Sequence, residues 1–132
     1  MITKKQKIQL LYFLLTVIWG GFIFYLSSIP DLQSGLLNWQ DLILRKLAHA
    51  TVFFILTYLI ISSLSSHQRP YLFFAIVVSI SYAVIDELHQ VGVLNRSGNP
   101  YDVLIDSFGV FWGMLVYKYR HQKITRFLDD ND

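Results

Sequence analysis

The chain has 132 residues, of which 54 % are hydrophobic and only 15 % charged, where an ordinary soluble domain carries about 25 % charge. Eleven Lys and Arg against nine Asp and Glu leave a net charge of +2, so no nucleic-acid partner is expected, and the lack of cysteine excludes disulfides, thiolate nucleophiles and Cys-ligated metal centres. High apolar content without an internal period excludes a disordered or repeat protein, and the length suits one domain.

The charges fall in clumps between long apolar runs. A helix needs roughly 20 apolar residues to cross the hydrocarbon core of a bilayer. The first such run, 8–26, follows Lys4, Lys5 and Lys7. Those lysines could head a signal peptide, but the run exceeds the usual apolar core of about 7–15 residues and three more spans follow, so it reads as a retained transmembrane helix.

In 27–46, Leu36, Trp39 or Gln40, Ile43 and Leu47 recur at helical spacing, with Asn38, Asp41 and Arg45 on other faces. This predicts a short amphipathic helix lying in the membrane interface between the first two spans, anchored by Trp39. The second span covers 47–64, broken only by His49, and the third covers 71–90, which reaches spanning length only if Asp86–Gln90 sit at or inside one interface. The fourth, 102–119, carries Asp106. Residues 120–132 read as a solvated tail. The fold class is therefore all-α, an integral membrane four-helix bundle.

Orientation follows from Lys and Arg in the short flanks. Eight of the eleven fall on one side, Lys4, Lys5, Lys7, Arg69, Lys118, Arg120, Lys123 and Arg126, against Arg45, Lys46 and Arg96 on the other. Both termini are expected in the cytoplasm, with 27–46 and 89–102 facing outward. His67 and His121, in the basic flanks, read as solvated.

On this topology the ionisable groups near the hydrocarbon all lie on the outward side. Lys46 and His49 open the second span, Asp86, Glu87, His89 and Gln90 close the third, Arg96 follows, and Asp102 and Asp106 open the fourth. Charged groups inside a membrane are costly and need partners or water, so these residues are expected to converge in one polar pocket. Asp102, Asp106, Gly109 and Gly113 draw one stripe down the fourth helix, and its GxxxG part lets a neighbouring backbone approach, which turns this face toward other helices.

In this order, Lys46-x-x-His49-x-x-x-Phe53, Asp86-Glu87-x-His89-Gln90, Arg96, Asp102, Asp106 and Gly109 resemble the VanZ family of small bacterial membrane proteins, and Ser27-Ser28-Ile29-Pro30 after the first span also fits. The resemblance covers roughly residues 20–116. Leu94-Asn95 stands before Arg96 where much of the family is expected to carry Pro-Gly. The resemblance implies one VanZ-like domain over 1–132, a multi-pass protein of the bacterial cytoplasmic membrane, and a family whose founding member is associated with resistance to teicoplanin-type glycopeptides. It implies no settled reaction.

Three uses of the polar cluster compete. As a site for a membrane lipid or lipid-linked envelope precursor, Lys46 and Arg96 would hold a phosphate, assisted by Gln90, Asp86 and His89. Glu87 would be general base or acid, with Asp106, His49 and Asp102 completing any phosphoryl-type chemistry. No metal or other cofactor is expected; the minor variant is a hard divalent cation on Asp102, Asp106, Glu87 and His89. As interhelical glue the same residues would only pair, at about 0.6 kcal/mol each, which does not explain their gathering at one side. A transporter component would place ionisable groups in both membrane halves, which this sequence does not. A homo-oligomer is an open alternative. Ser27 and Ser28 have no base nearby in sequence and read as helix-end polar groups.

Overall fold

In the computed structural model the chain is all-helical, and residues 3–30, 38–64, 70–96 and 98–129 are described, with side chains as far as residue 122. Helix α1 spans Lys4–Ser28, α2 Asn38–Leu64, α3 Pro70–Val91 and α4 Pro100–Asp129. Local chemistry sets several of the ends. The Thr3 hydroxyl accepts from the Gln6 N–H at 3.2 Å while the Gln6 side chain accepts from the Thr3 N–H at 2.8 Å, a reciprocal cap on α1. Pro70 and Pro100 open α3 and α4 at the first helical position, where their missing N–H costs nothing. Asn99 caps α4, its Oδ1 accepting from the Tyr101 N–H at 3.1 Å.

The amphipathic stretch ahead of the second span is helical, but it is not a separate element: α2 runs unbroken from Asn38 to Leu64. Nothing in Asn38–Leu47 breaks a helix, since it contains neither Gly nor Pro. Trp39 is exposed on this extension. The backbone of α4 stays helical to Asp129, so most of the tail expected from residue 120 onward continues the helix. Leu36, His67, Arg69 and residues 130–132 lie outside the described residues.

Helices α1, α2 and α3 are each long and apolar enough to cross a membrane. α4 falls short of that standard by composition, because Asp102, Asp106 and its charged C-terminal third dilute it. Its outward face is still apolar, with Leu104, Phe108, Phe111, Trp112 and Leu115 exposed, while Asp106, Gly109, Val110 and Gly113 turn inward.

Pairings across the bundle fix the helix directions. Lys46 meets Asp102, His49 meets Asp106, and the Tyr58 ring meets that of Tyr117 at 5.7 Å, so α2 and α4 run parallel along their length. The Tyr82 hydroxyl donates to the Gly20 carbonyl at 2.7 Å and His89 contacts Ser28, so α1 and α3 are also parallel, opposed to the first pair. α2 packs against the other three helices, and among the described residues no Cα of α1 comes within 8 Å of one of α4. Two close approaches make the α2–α4 seam tight. A Cβ on Gly109 would fall on the Ala50 carbonyl, and one on Gly113 would lie 2.6 Å from the Phe54 carbonyl oxygen.

The apolar core is small, centred on Phe53, Leu56, Ile61, Ala75, Ala83 and Val110. Large apolar side chains instead cover the outside, among them Ile18, Phe24, Phe73 and Leu88. That inverted distribution suits a lipid solvent rather than water. Below the site two buried hydroxyls bond within their own helix: Thr57 donates to the Phe53 carbonyl and Ser62 to that of Tyr58, both at 2.8 Å.

Candidate functional site

The sequence order of the helices brings the start of α2, the end of α3 and the start of α4 to one end of the bundle. Lys46 and His49, three residues apart on α2, face Asp102 and Asp106, four apart on α4. Lys46 Nζ donates to Asp102 Oδ1 at 3.0 Å and His49 Nδ1 stands 3.1 Å from Asp106 Oδ1, two rungs of one ladder. The outer rung is half-exposed; in the inner one Asp106 is fully buried. Glu87 enters from α3 with Oε1 3.9 Å from His49 Nδ1, and its Oε2 accepts from the Asn99 N–H at 2.9 Å.

A second constellation adjoins the first on the α1 side. Gln90 donates to Asp86 Oδ2 at 2.9 Å and accepts from Arg96 Nη1 at 3.2 Å. The same guanidinium reaches the C-terminus of α1, donating from Nη2 to the Leu26 carbonyl at 2.9 Å and from Nε to that of Ile29 at 3.1 Å. Arg96 thereby satisfies carbonyls that the end of a helix leaves orphaned. Burial lowers its pKa from the ordinary arginine value, and the nearby Asp86 carboxylate works against that.

Arg96 can make this reach because of the turn before it. Asn95 adopts φ +60°, a left-handed conformation that glycine enters freely and that asparagine tolerates better than other side chains. The Leu94-Asn95 departure from Pro-Gly thus keeps the turn. Asn95→Gly is expected to leave the melting temperature equal or slightly higher, whereas Asn95→Ala should cost about 1 kcal/mol, read by thermal unfolding in detergent.

Two cavities meet between these constellations. One, of about 160 Å³, is lined by Lys46, Asn95, Asn99 and Asp102 as well as Leu42. The other, of about 80 Å³, has an apolar wall of Ile23, Leu26, Ala48 and Val52, with Ser27 and Asp86 beside it. Arg45, His49, Gln90 and Arg96 line both. Arg45 also pairs with the buried Asp41 at 3.0 Å.

Eight of the nine expected site residues, Lys46, His49, Asp86, Glu87, Gln90, Arg96, Asp102 and Asp106, gather around these clefts. His89 does not. It lies two residues past Glu87, on the opposite face of α3, stacked at 4.5 Å on Phe24 with Nε2 3.0 Å from the Ser28 hydroxyl. The acidic set for a cation therefore closes with His49, not His89: one donor atom each from His49, Glu87 and Asp106 lie within 4.8 Å of one another. Two further residues belong to the site, Asn99, which the sequence reading did not single out, and Ser27, which reads from sequence only as a helix-end polar group. Asn99 was legible as an Asn-Pro helix start, although its hold on Glu87 was not. Ser27, buried with no hydrogen-bond partner for Oγ, shares a cavity with His49 across the α1–α2 interface, which no local spacing could show.

Neither the curated proteins nor the solved structures compared with the chain give a match. The VanZ/LLP1 family model matches residues 4–122, which contain every residue of both constellations. A single pattern thus spans all four helices and the polar clefts between them, and the chain belongs to the VanZ/LLP1 family.

Proposed function

We propose that the polar end of this membrane protein binds, and acts on, the phosphate-bearing head group of a lipid-linked cell-envelope intermediate. The observation that carries the reading is the pair of adjacent cavities, one polar and one walled by apolar side chains, sharing His49, Gln90 and Arg96. An amphiphile needs such a pair, a wet place for its head beside a dry one for its chain. Lys46 and Arg96 line the polar side as phosphate donors; Arg96 keeps part of its fork for a ligand beyond its three bonds. Glu87, with Oε1 buried and unpartnered, is the general base or acid, steered by the Asn99 N–H on its other oxygen.

The positive-inside distribution places both termini in the cytoplasm and this end of the bundle at the outer leaflet of the bacterial cell membrane, with α4 as the fourth span. Through such an intermediate the protein would influence susceptibility to teicoplanin-type glycopeptides, as its family resemblance implies.

The test compares wild type with Glu87→Gln, purified in detergent, by thermal unfolding and by mass spectrometry of co-purified lipid. Gln retains an acceptor for Asn99 while losing the buried charge, so with chelator present the variant is expected to melt at or above wild type, and as purified to lose a specific anionic lipid. A much lower melting temperature, with no lipid enriched on either protein, would mean that the cluster is structural.

A further inference from the structure

We infer that His49, Glu87 and Asp106 form a site for a first-row divalent cation of the zinc or manganese type. The three donors come from three different helices and meet below the polar cavity, within 4.8 Å of one another. His49 Nδ1 lies 3.1 Å from Asp106 Oδ1 and 3.9 Å from Glu87 Oε1. Ligand atoms around a tetrahedral cation with bonds of about 2.0–2.2 Å stand roughly 3.3 Å apart, so the His49–Asp106 pair is already close to that spacing and the wider separations, up to 4.8 Å, close by side-chain movements of about 1–1.5 Å.

The hydrogen-bond inventory supports a cation independently. Asp106 is fully buried and Glu87 nearly so, yet Asp106 Oδ2 and Glu87 Oε1 have no hydrogen-bond partner. A protonated His49 does not repair this. Its Nδ1 carries one hydrogen, which serves Asp106 Oδ1, while Glu87 Oε1 at 3.9 Å is beyond hydrogen-bonding distance. One metal ion serves both carboxylates and the imidazole together.

Charge points the same way. Around the two cavities Asp86, Glu87, Asp102 and Asp106 face Lys46 and Arg96, with Arg45 committed to Asp41. Carboxylates in excess would repel a phosphate, and a dication removes that excess. In this respect the inference deepens the lipid head-group reading, since the ion supplies the positive charge that the site lacks; with the ion bound, Glu87 is a ligand in place of the acid–base role given to it above, and the coordination geometry stands without the lipid. One imidazole with two carboxylates favours a zinc- or manganese-like ion over magnesium or calcium, which take oxygen ligands.

The experiment uses full-length protein purified in detergent through a tag without histidine, stripped with chelator and titrated with Zn²⁺, Mn²⁺, Mg²⁺ or Ca²⁺. Metal content is read by mass spectrometry after gel filtration, and stability by thermal unfolding. Wild type should retain a stoichiometric amount of Zn²⁺ or Mn²⁺ and melt higher with it. His49→Gln, Glu87→Gln and Asp106→Asn should each weaken that affinity at least about tenfold, while His121→Gln, at an exposed histidine, keeps it. Should Asp106→Asn fail to fold, the other two variants decide. Wild type that retains no metal, or retention that survives both His49→Gln and Glu87→Gln, overturns the site. Anionic lipid is measured on the same samples. Lipid held by protein that never binds metal sinks the cation alone, and metal held by protein that enriches no lipid sinks the head-group reading alone.

Discussion

Gly109→Ala is expected to unseat α4 from α2 and, with it, to dismantle the site. The added methyl falls on the Ala50 carbonyl, and the equivalent change at Gly113 sets a methyl 2.6 Å from the Phe54 carbonyl oxygen. Both obstacles are main chain of a packed helix, so no rotamer change relieves them and the two helices must move apart. Overpacking that side chains can absorb costs about 1–3 kcal/mol; these positions belong at or above the top of that range. Asp106 sits one turn above Gly109, so separation also draws it away from His49. Thermal unfolding in detergent checks this against Gly21→Ala, whose Cβ meets nothing within 4 Å. Gly21→Ala should be neutral or slightly stabilising, since alanine is the better helix former. A Gly109→Ala protein as stable as wild type would mean that the seam is looser than described.

Arg96→Ala should be the most damaging polar truncation outside the spans. It removes three hydrogen bonds at once and frees the C-terminus of α1 from the turn after α3. Hydrogen bonds to charged groups contribute about 1.5–3 kcal/mol each where buried. Arg96 is partly exposed, so solvent screening reduces the total to about 2–3 kcal/mol. Arg96→Lys should recover well under half of this, because one ammonium cannot span the Leu26, Ile29 and Gln90 acceptors that the planar fork reaches together. Melting temperature gives the size of the loss, and limited proteolysis between α1 and α2 shows whether the end of α1 has come free. Full rescue by lysine would show that only the charge of Arg96 matters, and that its fork is not a structural clamp.

These two expectations come from different levels of the chain. The GxxxG spacing at Gly109 and Gly113 marked a packed face before any coordinates, because a period of about four residues keeps side chains on one side of a helix. Which backbone fills that face, and how closely, came only from the bundle. The same division runs through the polar residues. Glu87 and Gln90, or Asp102 and Asp106, share a face by arithmetic alone, and that arithmetic also separates His89 from Glu87. His89, two residues from Glu87 and so on another helix face, bonds across to Ser28 instead. For Arg96 the residue type suggested an anion site. The structure shows the fork already engaged with α1 carbonyls some 70 positions earlier in the chain.

By itself, then, the sequence determined the four long helices, the inward face of the fourth and the end of the bundle where the polar cluster gathers. Each of these follows from local period, run length and composition, which a helix expresses without help from its neighbours. The tertiary structure decided the rest. It joined the expected interfacial helix to α2, paired α2 with α4 in parallel, and set His49 rather than His89 against Glu87 and Asp106. Those outcomes depend on which faces meet between segments far apart in the chain. Contacts of that kind are chosen by the packing of whole surfaces, such as two glycines lying on the carbonyls of Ala50 and Phe54.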